Sequence, residues 1–491
     1  MTRWAVSELP KGWSTAELGA VADIIRGVTF PASQKSHEAL EGYVACLRTS
    51  HVQEKLLWND IYFIPKNYIK REDQIVRRGD ILMSMANSSN LVGKTCINET
   101  DNEACFGAFL AAIRTSQVDN RYVHYYLRTT TAQSALRTGA SQTVNIANIS
   151  ASELQKLEIP VPPLDEQARI AQALDDLLAQ VDTLKARLDA LPALIKRFRQ
   201  SALATAVSGK LTEDWRILNP SLSPISSNDL KKALTETYRS LGKKYKEADL
   251  LPGELGFTLP NSWLETKIGK VFDVYVGATP SRENIDFWAG TIPWVSSSEV
   301  SFCRIKKTRE LITEAGYNSA STTIHPVGTV MLAMIGQGRT RGQPAILDVE
   351  ACHNQNTAAI RVNPNYCNSE YLYYYLYERY EETRRIGAGN NQQALNKKSV
   401  QSLPFPLPPL AEQNEIVRRV EQLFAFADQL EARLTDARAR VDALTQSILA
   451  KAFRGELVPQ DPADEPASVL LERIKAQRAA APKPKRGRKS V

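Results

Sequence analysis

The segment Ile159–Gln167 reads IPVPPLDEQ, and it returns as FPLPPLAEQ at Phe405–Gln413. In both places two prolines and a leucine lead into a long stretch rich in leucine, alanine and charged residues. Proline interrupts a helix but is tolerated in its first turn, so each segment predicts the start of a long helix. The same boundary occurs twice, and the chain therefore contains an internal repeat.

The repeat continues through the stretch of about 150 residues that precedes each boundary. Leu9–Trp13 (LPKGW) returns as Leu259–Trp263 (LPNSW), at a spacing of about 250 residues. Further matches, in the same order, are Gly79–Met85 with Gly328–Met334, Glu103–Cys105 with Glu350–Cys352, Ala111–Arg114 with Ala358–Arg361, and Tyr122–Leu127 with Tyr371–Leu376. Short strand-like runs alternate with loops rich in Gly, Ser and Asn, which is typical of an irregular mixed α/β domain. The sequence predicts a mixed α/β (α+β) fold with two repeat-related domains, each followed by a long helix.

Both predicted helices carry hydrophobic residues at heptad spacing. A 3.5-residue period favours a partner helix, whereas a helix packed alone on its own domain favours a broader stripe of 3.6-residue period. The simplest partner is the other helix, and antiparallel pairing would give a coiled coil with pseudo-two-fold symmetry and a domain at each end. Residues 165–206, if helical, would span about 63 Å. The candidate interface residues are Leu174, Val181, Leu184, Leu188, Phe198, Val420, Leu423, Leu430, Leu434, Val441 and Leu444.

Composition excludes several classes of protein. A length of 491 residues predicts two to four domains. The sequence has no run of about 18 apolar residues, which a transmembrane helix would need, and its start, MTRWAVSE, lacks the apolar core of a signal peptide. We therefore expect a cytoplasmic protein that does not use a membrane as a partner.

Neither a metal site nor the net charge identifies a function. The six cysteines include no C-x-x-C pair and the five histidines no H-E-x-x-H spacing, so we expect buried reduced thiols and no metal. Residues 472–491 contain eight Lys or Arg and one acid, Glu472, and thus carry the whole net charge of +7. This basic tail is equally consistent with a non-specific DNA tether and with a solubilising end.

The motifs of an enzyme are missing from the sequence. Ser88–Thr95 ends like a P-loop but has serine in place of the first glycine. Gly336–Gly342 has Arg341 where a dinucleotide fingerprint requires its third glycine. The Pro-Pro pairs are followed by leucine, so the Asn/Asp-Pro-Pro-aromatic motif of an amino-methyltransferase is absent. We therefore expect a binding protein rather than an enzyme.

Two pairs of matched loops point to nucleic acid. Ser84–Thr95 (SMANSSNLVGKT) matches Ala333–Gly342 (AMIGQGRTRG), and Gly139–Asn145 (GASQTVN) matches Gly387–Gln393 (GAGNNQQ). Asn and Gln can bond adenine, Arg and Lys can bond guanine, and Ser and Thr suit phosphates. Any one loop could be an ordinary turn, but equal frames with different polar tips favour the recognition of two different DNA sequences. The candidate DNA-binding residues are Arg26, Thr29, Ser84, Asn87, Ser88, Asn90, Lys94, Gln142, Asn145, Thr279, Arg282, Ser297, Gln337, Arg339, Arg341, Asn390, Asn391 and Gln392.

This plan resembles that of the specificity (S, or HsdS) subunits of type I restriction–modification systems. The stretch 177–216, from LLAQVDTLKARL to AVSGKLTEDWR, resembles the central conserved region of the type IA subgroup. The stretch 415–460, from EIVRRVEQLFAFAD to LTQSILAKAFRGELVPQ, resembles its distal conserved region. The resemblance covers nearly the whole chain, except that the variable loops match the family in frame only.

The resemblance implies a division of labour. Two target recognition domains would each read one half of a split double-stranded DNA site, and the helices would set their separation and bind two methyltransferase (M) subunits. S-adenosylmethionine would belong to the M subunits, ATP and Mg to two restriction (R) subunits, and no cofactor or catalytic residue to this chain. The implied bounds are 1–160 for recognition domain 1, 161–210 for the central helix, 211–258 for a linker, 259–405 for recognition domain 2, 406–455 for the distal helix, and 456–491 for a basic, partly disordered tail.

Two other functions stay open at the level of sequence. A fused type II enzyme would carry its own methyltransferase, against which the missing motifs argue. A coiled-coil spacer that does not bind DNA would share the helices but would not need two sets of divergent polar loops.

Overall fold

The computed structural model describes most of the chain. It describes residues 9–88, 91–139, 141–143, 146–222, 226–240, 242, 244–336, 339–386 and 395–480, with backbone alone for residues 87, 139, 141–143 and 146–147. The chain forms two compact units, of which unit 1 comprises Met1–Asp189 with Thr435–Val491 and unit 2 comprises Ala190–Leu434. Each unit holds one copy of the repeated α/β domain.

The domain of unit 1 has twelve described strands and four short helices before its long helix. The strands are β1 (Ser14–Glu17), β2 (Ala22–Arg26), β3 (Tyr43–Leu47), β4 (Tyr62–Pro65), β5 (Ile81–Ser84), β6 (Ala86–Asn87), β7 (Thr95–Ile97), β8 (Ala104–Phe106), β9 (Leu110–Thr115), β10 (Ser141–Thr143), β11 (Ile146–Asn148) and β12 (Glu158–Val161). The helices are α1 (Leu18–Val21), α2 (Asn120–Leu127), α3 (Thr130–Gly139), α4 (Ala151–Gln155) and the long α5 (Leu164–Val207), which belongs to unit 1 as far as Asp189.

The main sheet of unit 1 has the strand order β2-β9-β5-β7. Neighbouring strands in it are antiparallel, and a second sheet, β4-β3-β8, pairs β3 with β8 in parallel. Strand β5 is buried along its whole length because its residues Ile81–Ser84 lie in the centre of the sheet. A third sheet, β10-β11-β6, and the pair β1-β12 complete this domain.

Unit 2 repeats this arrangement. Its helices are α6 (Glu213–Leu218), α7 (Ser227–Ser240), α8 (Ile268–Val271), α9 (Glu314–Ser319), α10 (Ser369–Glu378), α11 (Tyr380–Arg385), α12 (Lys397–Gln401) and the long α13 (Leu410–Ala452), which continues into unit 1 and is followed there by α14 (Ala467–Ala480). Its strands are β13 (Leu264–Lys267), β14 (Asp273–Val276), β15 (Trp288–Val295), β16 (Cys303–Ile305), β17 (Glu310–Ile312), β18 (Val330–Ala333), β19 (Pro344–Leu347), β20 (Cys352–His353), β21 (Thr357–Arg361) and β22 (Pro404–Leu407). The main sheet has the order β14-β21-β18-β19-β16, and β17-β15-β20 corresponds to the second sheet of unit 1.

The tyrosine-rich helices α2 and α10 lie in the cores of their units. The Tyr122 hydroxyl donates to the carbonyl of Pro160 at 2.8 Å, and the Tyr371 hydroxyl donates to the carbonyl of Pro406 at 2.9 Å. Both tyrosines are buried. Each hydroxyl therefore fixes its helix to the strand that precedes the long helix, so these tyrosines are structural and not platforms for base stacking.

In each unit a part of α5 packs beside a part of α13. In unit 1, Lys185 Nζ lies 3.3 Å from Asp442 Oδ1. Four residues further along α5, Asp189 accepts from Arg438 Nη2 at 2.7 Å. Residue numbers rise along one helix as they fall along the other, so these two segments are antiparallel.

The same direction holds in unit 2. Arg199 Nη2 lies 2.6 Å from Asp428 Oδ1. Beyond the end of α5, the carbonyl of Leu211 accepts from Arg419 Nη1 at 2.7 Å. These contacts confirm the antiparallel helix pairing that the heptad spacing of the two helices predicted.

The heptad positions differ in how far they are covered. Buried members of the candidate interface are Leu174, Val181, Val420 and Leu434. Half-buried members are Leu188, Leu423, Leu430 and Val441. Leu184, Phe198 and Leu444 are exposed, at 43%, 36% and 44%. Heptad spacing thus predicted that the helices pair, but not how deeply each heptad position is buried.

Helices α7 and α14 extend the repeat beyond the pattern seen in the sequence. In unit 2, α7 buries Leu230 and Leu234 in the same cluster as the short helix α8. In unit 1, α14 buries Leu470 and Ile474 in the same cluster as the short helix α1. The segments expected as a linker and a tail therefore each contain a packed helix. In sequence, the two helices share only a pair of buried apolar residues spaced four apart, which is why the match was not seen in the sequence.

A buried glutamate fixes the start of each long helix to its domain. Trp13 Nε1 donates to Glu166 Oε2 at 3.0 Å in unit 1, and Trp263 Nε1 donates to Glu412 Oε2 at 2.8 Å in unit 2. Both carboxylates are buried. These bonds explain why the tryptophan and the glutamate are among the residues that the two halves share.

The second oxygen of each glutamate distinguishes the units. Glu412 Oε1 accepts from Thr212 at 2.7 Å and from Arg216 Nη1 at 2.5 Å. Glu166 Oε1 is buried and has no hydrogen-bond partner among the described residues. Val458 and Pro462 stand where unit 2 has the threonine and the arginine. Burial raises the pKa of the Glu166 carboxyl above its ordinary value.

The described part of the chain contains no helix that is long and apolar enough to cross a membrane. The six cysteines are free thiols, and five of them are buried. Within the same described residues, no group of three or more His, Cys, Asp or Glu side chains is placed to hold a metal ion.

Candidate nucleic-acid interface

The antiparallel order of the main sheet brings the candidate loops of unit 1 to one edge. The strand register pairs Arg26 with Ala111 and Ser84 with Leu110. The end of β2, the start of β9, the end of β5 and the start of β7 therefore share this edge. We call the described loop residues 27–30, 85–88, 91–94 and 107–109 the loop edge of unit 1.

The residues that follow the second candidate loop lie beside the start of the first candidate loop. Strand β11 pairs with β6, which follows β5, and Ile149 N donates to the carbonyl of Met85 at 2.8 Å. In unit 2 the equivalent bond runs from Leu395 N to the carbonyl of Met334 at 2.9 Å. In both units a residue that follows the second candidate loop thus bonds to the methionine that follows a buried strand of the main sheet.

Unit 2 forms an equivalent edge. The register pairs Val276 with Ala358 and Ala333 with Thr357, so the ends of β14 and β18 meet the start of β21. We call the described loop residues 277–282, 334–336, 339–343 and 354–356 the loop edge of unit 2. Described parts of the candidate loops of each half, which are far apart in sequence, thus meet at one edge of the sheet.

Four candidates of unit 1 are exposed at its loop edge. They are Arg26, Thr29, Ser88 and Lys94. Lys94 Nζ donates to Gln53 Oε1 at 3.2 Å, in a loop that follows β3. Beside Thr29 the loop edge encloses a cavity of about 390 Å³, which Lys35 and Arg48 also line.

Ser84 does not fit the role expected from its sequence. Its side chain is buried, with 1% exposed, because it belongs to the central strand of the sheet and not to the loop that follows. It therefore cannot contact DNA in this conformation. Arg339, in the matching loop of unit 2, is exposed.

The other two candidate arginines of unit 2, Arg282 and Arg341, are held by contacts within the protein. Arg341 Nη2 donates to the carbonyl of Arg384 at 2.6 Å, at the C-terminus of α11. Arg282 forms a two-pronged ion pair with Glu310, and its guanidinium lies 3.7 Å from the ring centroid of Trp288. The nearby guanidinium lowers the pKa of the Glu310 carboxyl. These contacts favour a structural role for Arg341 and a preoriented position for Arg282.

Two further candidates of unit 2 lie at the same edge. Thr279 Oγ1 donates to Gln355 Oε1 at 2.5 Å. Ser297 is half-buried in the turn after β15.

Eight candidates have no described side chain: Asn90, Asn145, Gln337, Asn390, Asn391 and Gln392 lie outside the described residues, and for Asn87 and Gln142 the backbone alone is described.

The sequence pattern missed a loop at the centre of each edge. Gly107–Phe109 connects β8 to β9 in unit 1, and Asn354–Asn356 connects β20 to β21 in unit 2. We call each of these the central turn of its unit. The signal was present, because Glu103–Cys105 and Ala111–Arg114 match their counterparts in the second half, while the segment between them reads FGAFL in one half and HNQNT in the other.

Comparisons with known proteins agree with this architecture. A family model described as the type I restriction modification DNA specificity domain matches residues 10–193 and 260–437. The EcoKI specificity subunit of Escherichia coli (strain K12), of a type I restriction enzyme, is 34% identical over 496 aligned residues, which cover 99% of either chain. The chain belongs to the family of type I restriction–modification specificity subunits.

Other specificity subunits and solved structures give the same result. The StySPI specificity subunit of Salmonella potsdam is 32% identical over 505 aligned residues, which again cover 99% of either chain. The crystal structure of the HsdS subunit from Thermoanaerobacter tengcongensis has a TM-score of 0.56 at 19% identity, covering 92% of this chain and 99% of that one. A chain from a structural study of complex assembly in the type I R-M system has a TM-score of 0.60 at 18% identity, covering 92% of this chain and all of that one. The family membership confirms the resemblance found in the sequence, and the structures confirm the fold.

Proposed function

We propose that the two loop edges read the two halves of a bipartite DNA target, so that this chain supplies the sequence specificity of its restriction–modification complex. One observation carries the proposal. The edges share strands, register and turn positions, whereas the residues at their tips differ. A protein that bound the same ligand twice would need no such difference.

The charges at the edges suit a DNA backbone. Arg26 and Lys94 are exposed at one edge and Arg339 at the other. Lysine and arginine near a duplex are attracted to phosphates and release counterions, which gives affinity without sequence preference. Base preference then has to come from the side chains that reach base edges in a groove.

The long helices are the proposed docking surface for two M subunits, and their pairing sets the distance between the half-sites. Exposed apolar side chains that lie together on a surface mark a site of protein–protein contact. Unit 1 exposes Leu184 and Leu444, and unit 2 exposes Leu194, Phe198 and Phe426, the last two in edge-on ring contact. Because such positions recur in both units, the surface suits two copies of one partner.

The proposal assigns cofactors to other subunits. S-adenosylmethionine would be bound by the M subunits, and ATP and Mg by the two R subunits that join for cleavage. This chain would bind double-stranded DNA and no cofactor. The pure chain should then fail to incorporate labelled methyl groups into DNA, and robust incorporation would favour a fused methyltransferase instead.

Exchange of one recognition domain tests the division between the edges. Residues 1–158 are replaced by the equivalent part of a related subunit, chosen to keep aromatic side chains at positions 122 and 126, which pack against Phe453. Methylated sites are then mapped in a genome that carries the complete system. We expect one half of the target to change and the other to stay. A change in both halves would refute independent reading, and an unchanged target would refute reading by this domain.

A further inference from the structure

The central turn of unit 1 lies in the middle of the loop edge and is fixed on several sides. Gly107 N donates to the carbonyl of Leu47 at 2.9 Å, and Met85 N donates to the carbonyl of Phe109 at 2.8 Å. A Cβ atom on Gly27 would approach the carbonyl oxygen of Gly107 to 2.2 Å, so that the end of β2 is pressed against the turn. Because β9 runs between β2 and β5, a duplex that lies across this edge meets the central turn.

The central turn of unit 2 is fixed in the same way. Asn354 N donates to the carbonyl of Val295 at 3.0 Å, and Met334 N donates to the carbonyl of Asn356 at 2.9 Å. The side-chain oxygen of Asn354 also accepts from the Asn356 amide at 3.1 Å. The two turns are therefore one structural feature with two sets of side chains.

The exposed side chains of the turns differ in chemistry. Phe109 is 67% exposed at the tip of the turn in unit 1, beside the cavity that Lys35 and Arg48 line. In unit 2 the exposed residue is Gln355, whose oxygen accepts from Thr279. A large apolar side chain in water gains free energy when it meets another apolar group. In DNA, the apolar group that marks a base in the major groove is the methyl group of thymine, whereas a glutamine amide matches the paired donor and acceptor of adenine.

We propose that the central turn is a third DNA-reading element in each unit, in which Phe109 contacts a thymine methyl group of one half-site and Gln355 bonds an adenine of the other. This inference rests on the proposed function and adds the chemistry of two specificity-determining residues. It explains why the turn lies in a short divergent segment between two matched stretches. Lys35, which lines the cavity, would lie against a phosphate, whereas Arg48 is paired with Asp60, and the phenyl ring is left to face the base.

Base analogues test the contact of Phe109 atom by atom. Each thymine of the mapped target is replaced in turn by uracil, which removes only the methyl group, and binding of the chain with its M subunits is measured. At the contacted thymine, uracil should weaken wild-type binding about fourfold, from about 0.8 kcal/mol for one buried carbon group. The Phe109→Ala complex should bind both DNAs equally at that position. The proposal for Phe109 is overturned if every uracil substitution affects the wild type and the variant to the same extent.

A second analogue tests Gln355. Adenines are replaced by 7-deazaadenine, which lacks the N7 acceptor. The affected position should lie in the opposite half-site, with a loss of about fivefold or more for the wild type and no loss for Gln355→Ala. Both effects in one half-site, or no analogue effect that depends on Gln355, would overturn the assignment.

Matched controls separate reading from folding. Leu40→Ala removes a 46% exposed apolar side chain at the opposite end of β3, and Asn365→Ala removes an exposed amide beyond the opposite end of β21. Both controls should respond to every analogue as the wild type does. If the wild-type complex does not prefer its mapped target over a scrambled duplex, the proposed function itself fails. If that preference holds and the analogue effects do not depend on the turn, only this further inference fails.

Discussion

The two junction glutamates offer a matched pair of substitutions, Glu166→Gln and Glu412→Gln, with opposite expected results. Glutamine keeps the size of the side chain and an oxygen that can accept from the tryptophan, and it removes the negative charge. In unit 2 that charge is paired with Arg216 at 2.5 Å, whereas in unit 1 the second carboxylate oxygen has no partner among the described residues. The same substitution thus breaks an ion pair in one unit and removes a charge that burial disfavours in the other.

The magnitude in unit 2 follows from the burial of the pair. Breaking a buried ion pair costs about 3–5 kcal/mol, because one charge stays buried without compensation. Glu412 is fully buried but the Arg216 side chain keeps 17% of its surface exposed, so solvent offsets part of this cost. We therefore expect Glu412→Gln to destabilise unit 2 by about 3 kcal/mol, at the lower end of that range.

In unit 1 the sign is reversed and depends on pH. Burial raises the pKa of Glu166, so the folded state binds more protons than the unfolded state between the two pKa values. The free energy of unfolding then falls as pH rises through that interval. Glu166→Gln removes this dependence, so the variant should be at least as stable as the wild type at neutral pH, with an advantage that disappears on acidification.

Hydrogen exchange measured by mass spectrometry separates the two units within one molecule. For Glu412→Gln, amides of unit 2 that exchange through global opening should lose about 100-fold in protection, while amides of unit 1 serve as an internal control. For Glu166→Gln, protection in unit 1 should be equal or higher at neutral pH. A loss of protection in unit 1 as large as that in unit 2 would refute the reasoning, because it would show that Glu166 has a stabilising partner.

Three further predictions concern DNA binding. Arg339→Ala should weaken specific binding by about 1–3 kcal/mol, as expected for the loss of a guanine contact, whereas Arg341→Ala should mainly lower the thermal stability of unit 2. Competition against a scrambled duplex measures the specific binding, and thermal melting measures the stability. A larger loss of specific binding for Arg341→Ala than for Arg339→Ala would contradict the assignment. Deletion of residues 481–491 removes five Lys or Arg and leaves α14 intact. If the tail is a tether, the DNA affinity of the shortened chain should depend less steeply on salt concentration. An unchanged salt dependence would identify the tail as a solubilising end. The third prediction inserts one heptad after Asp189 and one before Arg438, which face each other, and so lengthens the helix pair by about 10.5 Å. The preferred DNA spacer between the half-sites should then grow by about three base pairs at 3.4 Å each, and activity should fall because three pairs also rotate the second half-site by about 100°. Methylation is measured on substrates whose spacers differ by one pair, and an unchanged preference in a folded, M-binding variant would show that the helices do not set the spacer length.

The features that sequence predicted are those in which a repeated constraint acts on many residues. Proline at each boundary fixes where a helix begins, and the heptads fix its partner, so α5 and α13 were accessible from the pattern. The candidate loops were also proposed from the pattern, because frames matched around tips that differed, and their role in DNA binding stays a prediction. The strand order that collects these loops at one edge was not accessible, since pairing between distant strands leaves no local signal.

Individual side chains were less accessible because their role depends on burial. Ser84 and Lys94 belong to the same polar stretch, yet the first ends a buried strand and the second is exposed. Arg339 and Arg341 are two residues apart, and only the structure shows that the second is bonded to a helix terminus. The central turns were overlooked because Phe109 reads as an ordinary core residue until its exposure is known.

The division of unit 1 into two separate stretches of chain has a consequence for biosynthesis. Phe453 packs against Tyr122 and Tyr126, with ring centroids 5.1 and 5.3 Å apart, so this contact forms only after the ribosome has passed the second long helix. At about 5–20 residues per second, the interval from Asp189 to Phe453 takes on the order of 10–50 s. Unit 2 is a single continuous stretch and is complete before that time. The first domain to be translated is therefore the last to be finished, and during that delay its apolar face is open to chaperones.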